Sequence, residues 1–194
     1  MKSYNDSDFI NDYKSKLIDL IELINDDAVE DIIALLKQTE SNQGKVYIIG
    51  NGGSAATASH MVNDLGVGLS RRGIANFFIE SLSDNSAVCT AIANDTGYEN
   101  IFYQQLKNKL KKDDILIAIS CSGNSQNILK AVNYARTNDL KVIGITGFDG
   151  GELKQLADIS FHVNTKKDQY GLVEDIHMIL NHMIYTYFIE NKNG

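Results

Sequence analysis

The sequence predicts an α/β protein: a doubly wound, parallel sheet of five strands with helices on both faces. A helical extension over residues 1–43 is expected ahead of an α/β core over 44–194. Three observations carry this. Five short, continuous apolar runs alternate with helical stretches from residue 45 onward, the pattern of parallel strands covered on both faces. Gly and Ser collect at strand ends rather than in a spacer, so a single domain over 1–194 is expected. The front of the chain has helical spacing and no strand-like run.

In order, Phe9, Ile10, Tyr13, Leu17, Leu20, Ile21 and Ile24 recur at three- and four-residue spacing. Val29, Ile32, Ile33 and Leu36 repeat the pattern after Asn25-Asp26-Asp27, a break and helix N-cap. This stripe has no partner inside a βαβ core; it is either a packing layer or an oligomer interface, and the interface is expected. Val46–Ile49 is the first strand, ending in Gly50-Asn51-Gly52-Gly53-Ser54 and a helical stretch through Leu65. Phe77-Phe78-Ile79 is the second, followed by the stretch Ser81 to Ala93. Ile115–Ile119 is the third and clearest, ending in Ser120-Cys121-Ser122-Gly123-Asn124-Ser125 before a helix from Gln126 to Arg136. Val142–Ile145 precedes Gly147-Phe148-Asp149-Gly150-Gly151, and Ile159–Val163 follows a short helix. The last helix is expected from Val173 to Ile189.

Composition narrows the function. Of 194 residues, 43% are hydrophobic and 22% charged, which excludes a disordered tail, a collagen-like fibre or a disulfide-stapled miniprotein. Eighteen Lys and Arg against 25 Asp and Glu leave a net charge of −7. A broad basic surface for nucleic acid is excluded on that balance, whereas a small anion in a local pocket is not. Two cysteines, Cys89 and Cys121, make no framework, and the N-terminus lacks an apolar signal core. No run approaches the roughly 18 apolar residues of a membrane span. A reduced, cytoplasmic protein without a membrane partner is expected. The absence of proline leaves its long helices unbroken.

Two strand-end loops have the chemistry of a ligand site. Gly50–Ser54 carries little side-chain bulk, so backbone can approach a ligand closely. Ser120–Ser125 offers three hydroxyls beside the free amides of a helix start, which can hold a phosphate without lysine. Either loop alone is as readily a cap or turn. The glycines loosely match a dinucleotide fingerprint, but the acid expected about 20 residues on is missing. A phosphate-binding Walker loop fails as well, since no Lys-Ser or Lys-Thr follows.

His60 and Asp64 lie four apart, on one face of the helix after the glycine loop. Glu174 and His182 lie eight apart on the last helix, broadly on one side. Two imidazoles and two carboxylates suit a zinc-like divalent ion, although a His–Asp pair at this spacing is more often a helix-surface contact. His177, three residues from Glu174, competes with His182, and spacing does not choose between them.

Taken together, the chain resembles bacterial phosphoheptose isomerases, enzymes of the sugar isomerase (SIS) fold with a flavodoxin-like, three-layer arrangement. The resemblance runs through the helical front, Gly50–Ser54, His60, Asn94-Asp95, Ser120–Ser125, Gly147–Gly151, and the final helix with His177 and His182. It implies aldose–ketose isomerisation of sedoheptulose 7-phosphate to D-glycero-D-manno-heptose 7-phosphate through an enediol, in heptose synthesis for lipopolysaccharide, capsule or another surface glycan. It implies sugar contacts at Asn51, Gly52, Gly53, Asn94 and Asp95, and phosphate contacts at Ser54, Ser120, Ser122 and Ser125, with Cys121 where threonine is usual. It further implies metal ligands at His60 and His182, leaving His177 structural, one zinc per site, and a homotetramer built on the front helices with shared sites.

The departures are informative. Asp64 stands where the family has its catalytic glutamate, and Glu174 where it has a glutamine ligand, so both are expected among the ligands, Glu174 also contacts sugar, and either is a possible base with His182 as its partner. The missing methylene of Asp64 moves its carboxylate by over an ångström, a distance to which catalysis is sensitive. Gly171-Leu172 stands where Asp-Arg is common. These changes keep two other readings open: an isomerase of a different phosphosugar, and a non-catalytic sugar-phosphate-binding regulator of the type associated with a replication initiator.

Overall fold

A computed structural model describes residues 6–192; the remaining residues of the expected extension (1–5) and core (193–194) lie outside the described residues. Strands β1 (Lys45–Gly50), β2 (Phe78–Ser81), β3 (Ile115–Ser120), β4 (Lys141–Phe148) and β5 (Ile159–Asn164) form one parallel sheet in the order β2-β1-β3-β4-β5. Val46 stands opposite Ile115, Ile117 opposite Ile143, and Ile145 opposite Phe161. Side chains alternate between two buried layers. Val46, Ile48, Ile117 and Ile143 point into one, while Tyr47, Ile49, Leu116 and Val142 point into the other. Both faces being covered explains why the strands are apolar throughout.

Helices α2 (Asp26–Ser41), α3 (Gly53–Met61) and α9 (Tyr170–Glu190) cover the first face; α7 (Gln126–Thr137) and α8 (Gly151–Leu156) cover the second. The front helices differ sharply. α2 is capped by Asn25, whose side chain accepts from Ala28 N–H at 3.2 Å, and buries Val29, Ile32, Ile33 and Leu36. Fully burying a side chain such as Leu36 stabilises by about 1.5–3 kcal/mol. α1 (Asp6–Glu22) buries none of its described residues, and Phe9, Ile10, Ile18 and Ile21 are exposed. It is tied down by the Tyr13 hydroxyl donating to Asp175 of α9 at 2.6 Å. The packing layer is therefore α2, whereas α1 lays Leu17 and Leu20 against the core and leaves Phe9, Ile10, Ile18 and Ile21 open.

Three stretches depart from expectation. β2 begins at Phe78 rather than Phe77, and a turn separates it from α5 (Ser86–Thr96). The helix expected through Leu65 stops as α3 at Met61, widens into a π-helical turn over Val62–Gly68, and closes as α4 (Leu69–Arg71). Leu69 N–H bonds back five residues to the Asp64 carbonyl. Such turns are rare inside helices and concentrate at functional sites. A short turn at Tyr98–Asn100 and α6 (Tyr103–Leu106), not foreseen, lead from α5 toward β3.

Candidate active site

The strand order reverses between β1 and β3, where open α/β sheets form a ligand crevice beyond the strands' carboxyl ends. The glycine loop leaves β1 and the serine loop leaves β3, so the two expected loops flank that crevice. The glycine loop is pinned. Asn51 Nδ2 donates to Asn127 Oδ1 at 3.0 Å, Asn127 Nδ2 returns a bond to Asn51 Oδ1 at 2.8 Å, and the Tyr98 hydroxyl donates to the same oxygen at 2.8 Å.

In the serine loop, Ser120 Oγ accepts from Gly123 N–H at 3.1 Å and lies 3.4 Å from Ser125 Oγ. Gly123 has φ +64°, and a Cβ there would stand 1.9 Å from the Gly150 carbonyl oxygen. Only glycine lets the serine loop rest on Gly147–Gly151. Ser125 precedes α7 without using its hydroxyl as a cap, while the Ile128 amide of the first turn is taken by Asn127 Oδ1. Ser54 and Ser120 are buried. Cys121 is pushed up to about 11, by burial first and then by the Glu174 charge, against a hydrogen bond from Ser54. It is a thiol at neutral pH.

Three of the four expected polar residues converge. His60 Nε2 lies 3.2 Å from Asp64 Oδ2 and 3.3 Å from His182 Nε2. One donor atom from each of His60, Asp64 and His182 falls within 4.8 Å of the others. Bonds of about 2.0–2.1 Å in a tetrahedron put neighbouring ligand atoms about 3.3 Å apart, so both short separations suit a small divalent cation. Asp64 is buried, its Oδ1 accepting from Asn63 Nδ2 at 3.1 Å and its Oδ2 from Asn181 Nδ2 at 2.8 Å.

Glu174 is not in that cluster, a correction to its expected place as a fourth ligand. Eight residues on a helix return to one face but advance about 12 Å along it. Its carboxylate instead covers the start of α3: a Cβ on Gly53 would meet Glu174 Oε1 at 2.3 Å. Cys121 Sγ lies 4.0 Å from Glu174 Oε1. Glu174 thus sits where the glycine and serine loops meet.

A SIS domain family profile matches residues 8–147. A phosphoheptose isomerase of Helicobacter pylori (strain P12) is 40% identical over 154 residues, 78% of this chain and 78% of that protein. Phosphoheptose isomerase 2 of Campylobacter jejuni subsp. jejuni serotype O:2 is 34% identical over 98% of this chain and 91% of its own length. The structure of phosphoheptose isomerase from Neisseria gonorrhoeae superposes with a TM-score of 0.83 at 27% identity, covering 95% of this chain and 98% of that one. The chain belongs to the SIS domain family, among the phosphoheptose isomerases. As a member of that branch it is an isomerase.

Within this SIS framework the remaining expected residues fall into place unevenly. His177 is 2% exposed, its Nε2 donating to the Thr146 carbonyl at 3.1 Å, and burial pushes it down to about 4. It is a neutral core residue. Asn94 and Asp95 lie at the end of α5, which buries none of its described residues; Asn94 Nδ2 donates to Asp95 Oδ1 at 2.8 Å. They do not join the crevice's hydrogen bonds. Four participants went unread in the sequence: Asn63, Tyr98, Asn127 and Asn181. Asn181 had a signal, being a lone amide inside the buried apolar stripe of α9; Tyr98 had none.

Proposed function

We propose that the chain interconverts sedoheptulose 7-phosphate and D-glycero-D-manno-heptose 7-phosphate in heptose synthesis for surface glycans. The observation that carries this reading is a hydroxyl-lined loop and a half-buried carboxylate at one strand-order reversal, with a His–Asp–His cluster on the helices α3 and α9 and the π-helical turn beside it. Ser54, Ser120, Ser122, Ser125 and the Cys121 backbone would take the phosphate. Asn51, Gly52 and Gly53 would line the sugar.

His60, Asp64 and His182 would hold zinc, their donor set and spacing fitting it. When bound, zinc supplies a Lewis acid for the substrate carbonyl. The two carboxylates then divide the remaining work. Asp64 has both oxygens engaged by amides, whereas Glu174's polar neighbour among the described residues is a thiol at 4.0 Å. Glu174 is free to take a proton. In the ketose-to-aldose direction it removes one from C1, and the C1–C2 double bond forms as O2 takes a proton from His182. O1 then returns a proton to His182 while Glu174 delivers its own to C2, leaving the aldose and both groups as they began. Each such transfer is worth about 10²–10⁴-fold.

The same reading has one domain over 1–194, a cytoplasmic location and a homotetramer joined through α1. No helix among the described residues is long and apolar enough to cross a membrane. In the tetramer, Asn94 and Asp95 on the open face of α5 would serve a site shared between subunits. Sedimentation gives the subunit count directly. The activity is tested by following aldose formation from sedoheptulose 7-phosphate with and without a chelator. Turnover lost on chelation and restored by zinc is expected; Glu174→Gln loses turnover but keeps zinc, and Asp64→Asn binds zinc measurably more weakly. No turnover of any ketose phosphate by the zinc-loaded protein overturns the proposal, and phosphosugar binding without conversion turns it toward a regulator.

A further inference from the structure

We infer that Asn181 is a positioning residue whose amide holds the Asp64 carboxylate in the orientation that lets His60, Asp64 and His182 share one cation. This rests on the zinc reading of that cluster.

Asn181 is 0% exposed, on the buried side of α9 with Ile176, Leu180 and Ile184 around it and His177, the other buried polar residue of that helix, one turn before it. A buried amide in an apolar stripe is costly unless its polar ends are paired. Here one end is paired: Nδ2 donates at 2.8 Å to Asp64 Oδ2, while Oδ1 has no partner among the described residues. Turned over, the amide would press its carbonyl oxygen against a carboxylate oxygen. Asp64 therefore dictates which way Asn181 points, and the bond to Asp64 accounts for a polar residue at this position.

The oxygen chosen is informative. Oδ2 is the atom 3.2 Å from His60 Nε2, the one on the cluster side, while Oδ1 accepts from Asn63. One amide on each oxygen fixes the carboxylate plane. The Asn63 amide comes from the neighbouring residue and moves with Asp64, so it cannot tie the carboxylate to anything else. Asn181 comes from α9, the residue before His182. Its bond thus couples the π-helical turn that carries Asp64 to the helix that carries the second imidazole. An aspartate at this place is short, and the widened turn alters the direction from which it enters the cluster. A fixed donor behind it sets where the short side chain stops. Hydrogen-bonded partners behind ligating carboxylates typically change metal affinity by about 10–100-fold.

The test is Asn181→Leu, which keeps the branch point at Cγ and deletes the donor, with the smaller Asn181→Ala beside it to control for volume. Zinc affinity is read by competition with a chromogenic chelator, the melting temperature on the metal-free protein, and kcat and KM on the phosphosugar. Zinc affinity about 10–100-fold weaker is expected, with lower kcat, unchanged KM and a folded metal-free protein. In an Asp64→Ala background, Asn181→Leu should change zinc affinity no further. Wild-type zinc affinity in both variants overturns the inference and leaves the isomerase reading standing. An equal further loss in the Asp64→Ala background also overturns it, because Asn181 then acts through the fold. A wild-type protein that takes up no zinc overturns both. One that binds zinc yet converts no ketose phosphate overturns the activity alone, and the affinity measurements still decide the role of Asn181.

Discussion

Gly53→Ala separates catalysis from folding in a single methyl group. Gly53 opens α3, and a Cβ built there stands 2.3 Å from Glu174 Oε1 and 2.4 Å from its Cδ and Oε2. Non-bonded heavy atoms settle at about 3.5–4.0 Å, so the carboxylate must retreat by roughly 1 Å or more. What gives way is the tip of a flexible side chain, not backbone, and alanine is the better helix former by up to about 1 kcal/mol. The melting temperature should hold or rise slightly. Catalysis should not survive as well, since a misplacement of about 1 Å can cost about 10²-fold. That is about 2.7 kcal/mol of barrier at about 1.36 kcal/mol per tenfold. Because Glu174 is assigned to proton transfer and not to holding the phosphate, kcat and kcat/KM should fall together with KM unchanged. Initial rates of aldose formation and a thermal melt of the same preparation check this. Wild-type kcat in Gly53→Ala would refute the reasoning, because the base would then tolerate displacement; so would a loss of activity matched by unfolding.

Two further outcomes follow from buried groups. His177 is held at about 4 against an ordinary 6.5, so across that window the unfolded chain binds a proton that the folded chain refuses. Its contribution is intact above about pH 6.5 and is lost as pH falls toward about 4, by roughly 3 kcal/mol at about 1.4 kcal/mol per pH unit. Urea titrations at about pH 7 and about pH 5 should differ less in His177→Gln, and an unchanged difference counts against this assignment. Cys121, pushed up to about 11, carries little thiolate near neutrality. At about pH 8 it should be alkylated by iodoacetamide at least about tenfold more slowly than free cysteine, by mass spectrometry of its peptide; an equal rate contradicts its placement beneath Glu174.

The strands were legible because their signal is local. Runs such as Ile115–Ile119 are apolar at every position when both faces are buried, and that is visible without tertiary knowledge. The loops followed, since Gly50–Ser54 and Ser120–Ser125 mark strand ends by composition. The π-helical turn at Val62–Gly68 was not legible: its residues carry ordinary helical spacing, and which carbonyl accepts each bond is decided by packing. Glu174 failed for a geometric reason. Spacing reports angle around a helix but leaves the neighbours at each height unspecified, and at its height those are Gly53 and Cys121 rather than His60 and Asp64. Likewise α1 and α2 share one periodicity, yet only α2 finds the sheet, because the stripe reports that a face seeks burial without saying against what.

Two of the positions at which this chain departs from the resemblance, 64 and 174, behave as one exchange under the proposed roles. A metal ligand is best held still, whereas a base must be free to receive a proton and surrender it. Asp64 meets the first requirement: it is buried, both oxygens accept amide hydrogens, and an imidazole lies 3.2 Å away. Glu174 meets the second: half-buried, unpaired with any cation among the described residues, it rests on a glycine that leaves it room. In the resemblance these parts are played the other way, with the acid on the helix after the glycine loop and an amide on the last helix. An amide cannot abstract a proton, so under the proposed roles a glutamate at 174 would add a base to α9, while the shorter acid at 64 would serve the cluster. Moving the base across the crevice leaves the phosphate loops and both imidazoles unchanged. On the proposed assignment, the overall reaction class would persist with its base on α9.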